Sequence, residues 1–299
     1  MASLGFIAAL NWWTQPRYKG ITLSRWLQRL DGGESTLRFS SSRYGVPWIS
    51  TLSPQRREAA AAVRAIGARA IPQILQMLKA KDSRFLTMVN NPRAVIHDDV
   101  LVSYAYIQKQ RALYGLAVLG PAAESAVPEV ANALHDPDTA HRAAWTLACM
   151  GPRGVEVLRS GIAGQDRLTA GCCINSVGIN KVVSPEIQAA LLERVGVDVR
   201  TGKLLAGVDE GLRRGALNIL NIAGVDIPTQ VTCLVATLDS TNQNLRWFAA
   251  VRLGGFGKSA SNAVPSLKRA LGDPDPYVRW TATNALREIS PEALENQSL

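Results

Sequence analysis

Arg56, Lys109, Arg167, Arg213, Arg246 and Arg279 stand at matching points of a recurring pattern, with Ala140 interrupting the series. Six cations in register suggest a stripe that neutralises phosphates. The competing reading is an inter-repeat ladder, in which each guanidinium bonds an aspartate or a carbonyl of a neighbouring turn; bidentate arginine geometry suits that role, and we adopt it. Trp247 and Trp280 each follow one of these arginines. Paired tryptophans beside arginines can stack on bases or grip a cation, but at a repeat seam the same residues are expected to be packing.

His97-Asp98-Asp99 joins an imidazole to two carboxylates, types that bind metals or move protons. No second cluster completes a shell, and His135 and His141 merely flank Asp136-Pro137-Asp138, so solvated loops and caps are expected at all three histidines. Cys149, Cys172, Cys173 and Cys233 show no zinc spacing and read as small buried hydrophobes. The chain has no GxxxxGK[ST], GxSxG or HExxH, and no GxGxxG after a strand. No enzymatic activity, cofactor or metal is expected.

These residues are positioned by a repeat. Take Gly67, Gly120, Gly151, Gly178, Gly224, Gly257 and Ser290 as anchors. Eight residues earlier stands alanine every time: Ala59, Ala112, Ala143, Ala170, Ala216, Ala249 and Ala282. Four residues earlier stands an aliphatic, from Val63 to Leu286, and one residue earlier another apolar side chain. Those offsets trace one face of an α-helix. The anchor glycine then reads as the helix stop, in a left-handed conformation that needs no Cβ. A second apolar run follows most anchors and opens with proline, at Pro72, Pro128, Pro185, Pro228 and Pro265, as the first turn of a helix allows. Each unit is a helix, a glycine turn, a proline-started helix and a polar turn. Such a pair cannot cover its own apolar faces, so units must stack. Insertions interrupt the stack near residues 82–106 and 194–209.

The run from Asp273 to Ile289 (DPDPYVRWTATNALREI) resembles the first helix of HEAT-like repeats of the phycobilisome-lyase type. Ala263–Leu267 and Ala126–Val130 resemble that family's second helix. The likeness spans residues 54–290, and Tyr18–Leu27 is similar to a short helix found ahead of such repeats in bacterial proteins. It implies an all-α, right-handed α-solenoid of about seven HEAT-type helix pairs, armadillo-like in general form. Residues 1–53 would be a capping helix and connector, with Leu23, Trp26, Leu27 and Leu30 as the buried face, and residues 54–299 the solenoid. The resemblance also implies a concave face lined by second helices. Side chains expected to be exposed there and to meet a partner are Gln73, Gln76, Glu129, Asn132, Glu156, Arg159, Gln188, Glu193, Gln230, Lys268 and Arg269.

That set is mixed in sign and rich in amides, which favours a protein or peptide partner over a polyanion. The net charge is +9, but residues 1–58 hold eight basic and three acidic side chains, so over half the excess lies in the first 58 residues. The function expected is a monomeric protein-interaction scaffold in the cytoplasm. The alternatives are a nucleic-acid-binding HEAT-like protein, including repair of alkylated bases, or a lyase or chaperone for a cofactor-bearing protein. Leu4–Trp13 is apolar apart from Asn11, too short to span a bilayer and without the basic start of a secretory signal. It would mark an exported or anchored chain only if the true start lay upstream.

Overall fold

A computed structural model of the chain describes residues 15–31, 53–82, 95–97, 100–102, 104–198 and 201–295. The class is all-α, with short two-stranded hairpins as the strands among these residues. The chain divides into two compact units, Met1–Val157 and Leu158–Leu299.

The first unit opens with the hairpin β1 (Arg17–Tyr18) and β2 (Ile21–Thr22), turned by Lys19 and Gly20 with φ of 48° and 74°. Two consecutive positive φ values match the twist of a tight hairpin. It leads into α1 (Leu23–Asp31), which buries Leu23, Trp26, Leu27 and Leu30 against α2 (Pro54–Ile66) and α4 (Tyr104–Leu119). Trp26 Nε1 donates to the Tyr18 carbonyl at 3.2 Å. α3 (Ile71–Leu78) follows α2 across a glycine turn and packs on α4. α5 (Val127–Asn132) follows, then α6 (Ala140–Cys149), stacked on α4. The rings of Tyr114 and Trp145 join α4 to α6, 5.5 Å apart and tilted by 14°. In the first insertion, β3 (Val95–His97) pairs with β4 (Val100–Val102). His97 therefore ends a strand, while Asp98 and Asp99 lie outside the described residues, as does Leu4–Trp13.

The division falls within α7 (Pro152–Ala163). The second unit continues with α8 (Arg167–Asn180), α9 (Pro185–Val195), the hairpin β5 (Val197–Asp198) and β6 (Lys203–Leu204), then α10 (Glu210–Ile219) and α11 (Ile227–Thr237). α12 (Gln243–Gly255), α13 (Val264–Ala270), α14 (Pro276–Ile289) and the short α15 (Glu292–Glu295) complete it. Side chains cap the helix starts by accepting otherwise unpaired N–H groups. Asp166 accepts from Thr169 N at 3.0 Å, Asp209 from Leu212 N at 2.9 Å, Asp226 from Thr229 N at 2.9 Å and Asp275 from Tyr277 N at 2.9 Å.

The three apolar columns form the core of both units. All seven alanines of the first column are wholly buried, and so in effect are the aliphatics four residues on. A methyl group at the point of closest approach lets neighbouring first helices pack backbone to backbone. At Gly254 even a methyl would be tight: a Cβ there would lie 3.1 Å from the Ala285 Cα of α14. Gly67, Gly120, Gly151, Gly224 and Gly257 take the positive φ expected of a helix stop. Gly178 does not. α8 runs on to Asn180, and Lys181 takes the left-handed position with φ 52°. Gly178 is a glycine for another reason, since a Cβ would lie 2.8 Å from Ile219 Cγ2.

Candidate functional site

The basic series is consumed within the fold. Arg246 grips Asp273 bidentately, Nε to Oδ2 at 2.7 Å and Nη2 to Oδ1 at 2.9 Å, while Nη1 donates to the Ser240 and Thr241 carbonyls at 3.0 Å. Lys109 reaches Asp136 at 2.8 Å, and both partners stand 27 residues on, in Asp-Pro-Asp turns. Arg167 meets Asp209 at 3.5 Å across the second insertion. Arg56 donates to the Asp31 carbonyl at 2.9 Å, and Arg279 to the Asp273 and Pro274 carbonyls. The hydrogen bond from Arg246 holds the Asp273 carboxyl below its ordinary range, and Lys109 does the same to Asp136. Lys109, Arg167 and Arg246 thus tie their helices to a later turn, whereas Arg56 holds the end of α1 and Arg279 the turn before its own helix. Arg213 is the incomplete rung. Its Nη2 donates to the Leu205 carbonyl at 2.8 Å, but buried Nε has no partner among the described residues. Twenty-seven residues on stands Ser240, not aspartate. Burial lowers the Arg213 pKa, opposed by Glu210.

Trp247 and Trp280 are not seam packing. Trp247 is 39% exposed and Trp280 64%, beside Val251 at 45% and Tyr277 at 71%. The reason is angular. The buried columns lie eight, four and one residues before the anchor, and the tryptophans lie ten before it, on the opposite side of the helix. Tyr277, Trp280 and Asn284 on α14, and Asn244, Trp247 and Val251 on α12, are equivalent outward positions of adjacent packed helices. On α10 the matching set is Gly211, Arg214 and Asn218, and the Arg214 guanidinium lies 5.8 Å from the Phe248 ring centroid of α12. The second unit thus presents a stripe that turns from polar on α10 to aromatic on α14.

The second-helix residues separate into groups. Gln76, Asn132, Glu156, Glu193 and Arg269 are exposed, and Glu129, Arg159 and Lys268 half-buried. Arg269 lies 3.7 Å from Asp239 and donates to Ser266 Oγ at 3.1 Å. Gln73 donates to Ser24 Oγ of α1 at 2.9 Å and Gln188 to the Ala223 carbonyl at 3.0 Å, which ties both into the scaffold. Gln230, expected on the surface, is buried; its amide donates to the Val225 carbonyl at 2.6 Å, just ahead of its own helix. An amide one turn into a helix can fold back on the entering chain, and residue type alone does not reveal that.

Residues 204–296 match the family model described as HEAT repeats. That stretch is HEAT-like. No curated protein matches it. Among solved structures, one engineered protein shares 19% identity, with 83% of this chain and 68% of that one covered, at a TM-score of 0.39. A second engineered protein shares 18%, with 90% and 96% covered, at 0.24. Human deoxyhypusine hydroxylase in complex with glycerol shares 18%, with 92% and 89% covered, at 0.30. Likenesses this loose say nothing about activity. Among the described residues, no helix is long and apolar enough to cross a membrane. No cluster of three or more His, Cys, Asp or Glu side chains is placed there to hold a metal ion. Burial pushes the thiols of Cys149, Cys172 and Cys233 up to about 11 and that of Cys173 to about 12, so at neutral pH they are protonated packing atoms.

Proposed function

We propose that this HEAT-like chain is a non-catalytic scaffold that binds other proteins, and that its strongest contact surface is the outward stripe of α12 and α14. The exposure of Trp247, Val251, Tyr277 and Trp280 on two adjacent helices carries this reading. Large apolar side chains turned to water are the informative departure from ordinary burial, and Trp, Tyr and Arg are the types that dominate binding energies at protein interfaces. The groups that would do chemistry point the same way, because Lys109 and Arg246 are bonded within the ladder and three of the four cysteines are buried. Gln76, Glu129, Asn132 and Glu156 of the first unit, and Arg159, Glu193, Lys268 and Arg269 of the second, offer further polar contacts within each unit. Four cysteines outside any disulfide suit a reducing compartment such as the cytoplasm.

The test is affinity capture from lysate, with and without nuclease, by the wild-type chain and by the double variant Trp247→Ala/Trp280→Ala. Proteins retained after nuclease by the wild type and lost from the variant are the expected result. Capture that disappears with nuclease would point to nucleic acid instead. Retention unchanged in the variant would remove the stripe from the proposal.

A further inference from the structure

The side chains around the stripe specify the partner's chemistry. Arg214 stands exposed on α10, Arg252 at the flank of α12 and Arg287 exposed on α14, while Arg279 is bonded to the Asp273 and Pro274 carbonyls. The carboxylates on these three helices are Glu210, hydrogen-bonded to Asn242 Nδ2, and Glu288 at the far end of α14. Asp275 is turned inward on the N–H groups of Tyr277 and Val278, and Asp273 is neutralised by Arg246. The positions holding Arg214, Trp247 and Trp280 and the neighbouring ones holding Asn218, Val251 and Asn284 carry no carboxylate at all. The face is therefore aromatic in the middle and cationic around it.

From this we infer that the stripe binds an acidic peptide segment of a partner protein, one that sets an apolar side chain against Trp247, Val251 and Trp280 while its carboxylates meet Arg214 and Arg287. The inference rests on the stripe being the docking surface. Two features favour a peptide over nucleic acid. The cations fixed in register, which could have tracked a phosphate backbone, are bonded inside the ladder. Val251 stands one turn from Trp247 on α12, where a base would gain more from another ring or a hydrogen-bonding group. Arginine bound bidentately to carboxylate and tryptophan packed on an apolar side chain are complementary ways to hold one short segment.

The experiment is fluorescence anisotropy on the full chain with labelled probes. These are a peptide rich in Glu and Asp with one Leu and one Phe, its Gln/Asn counterpart, its Lys counterpart, and an oligo-dT strand. The acidic peptide should bind best and weaken with added salt. Trp280→Ala should reduce its affinity at least about tenfold. Arg214→Glu/Arg287→Glu should reverse the order, so that the Lys peptide binds best. All these side chains are exposed, and circular dichroism melts will show that the variants fold. The inference is overturned if the Gln/Asn peptide binds as tightly as the acidic one, if oligo-dT binds more tightly and competes, or if no probe binds. Cellular partners that need Trp247 and Trp280 yet ignore the Arg214/Arg287 reversal would overturn the acidic partner alone and leave the docking surface standing. Partners indifferent to both would remove both.

Discussion

Asp273→Asn removes one charge and leaves the side-chain shape intact, so it isolates the strongest rung of the ladder. Arg246 and Asp273 have side chains only 13% and 8% exposed and meet through two hydrogen bonds. Removing one partner of a buried pair typically costs about 3–5 kcal/mol. Here the loss is smaller, because Arg246 keeps the Ser240 and Thr241 carbonyls and Asn can still accept one bond. We expect a loss of about 2–3 kcal/mol at pH 7 in urea unfolding followed by circular dichroism. The equivalent Asp136→Asn should cost no more than about 1 kcal/mol, since Lys109 and Asp136 are 26% and 36% exposed and lysine makes a single contact. The Asp273 carboxyl is depressed in the folded state, first by the Arg246 hydrogen bond. A depressed folded pKa gives stability that is present above the unfolded value and lost as pH falls through the folded one. The gap between wild type and Asp273→Asn should therefore narrow below about pH 4. Equal losses at Asp273 and Asp136, or a gap unchanged in acid, would refute the argument.

Ser240→Asp should complete the Arg213 rung and raise stability by about 1 kcal/mol, because Ser240 Oγ already accepts from Asn242 N as Asp273 does from Asp275 N; Arg213→Gln should abolish the gain in a double-mutant cycle. Gly254→Val should lower stability by about 1–3 kcal/mol, since its Cβ would press on the Ala285 backbone; an unchanged urea midpoint would show that the helices can part freely. Cys172, Cys173 and Cys233 should resist iodoacetamide at pH 8 in the folded chain and react fully in urea, as buried thiols with raised pKa values must. Mass spectrometry reads the outcome directly.

The repeat was legible because core helices impose a period, and Ala59 through Ala282 carried it without exception. The ladder was legible because six cations at one register point need a shared cause. Trp247 and Trp280 were misjudged, although their angle to the alanine column could be computed from spacing alone. A tryptophan's size argued for burial, and its position on the helix decided otherwise. Gly178 failed for a similar reason. A glycine can serve a turn or a close approach, and only the neighbouring Ile219 distinguishes them. The short hairpins at Val95–Val102 and Val197–Leu204 lay in segments recognised only as insertions, where two or three residues per strand leave too little alternation to read.

The 27-residue interval shared by the Lys109 and Arg246 rungs makes the chain extensible. Residues 243–275 contain both Arg246 and the Asp273 that it grips. A second copy of that stretch spliced in after Asp275 would bring its own arginine and aspartate, and its own Trp247 equivalent. Each seam would close with the bonds it uses now, while the outer stripe would lengthen by one aromatic position. Growth by duplication thus needs no new lock to be invented, and the binding face can be rewritten afterwards, one unit at a time, without disturbing the alanines beneath it.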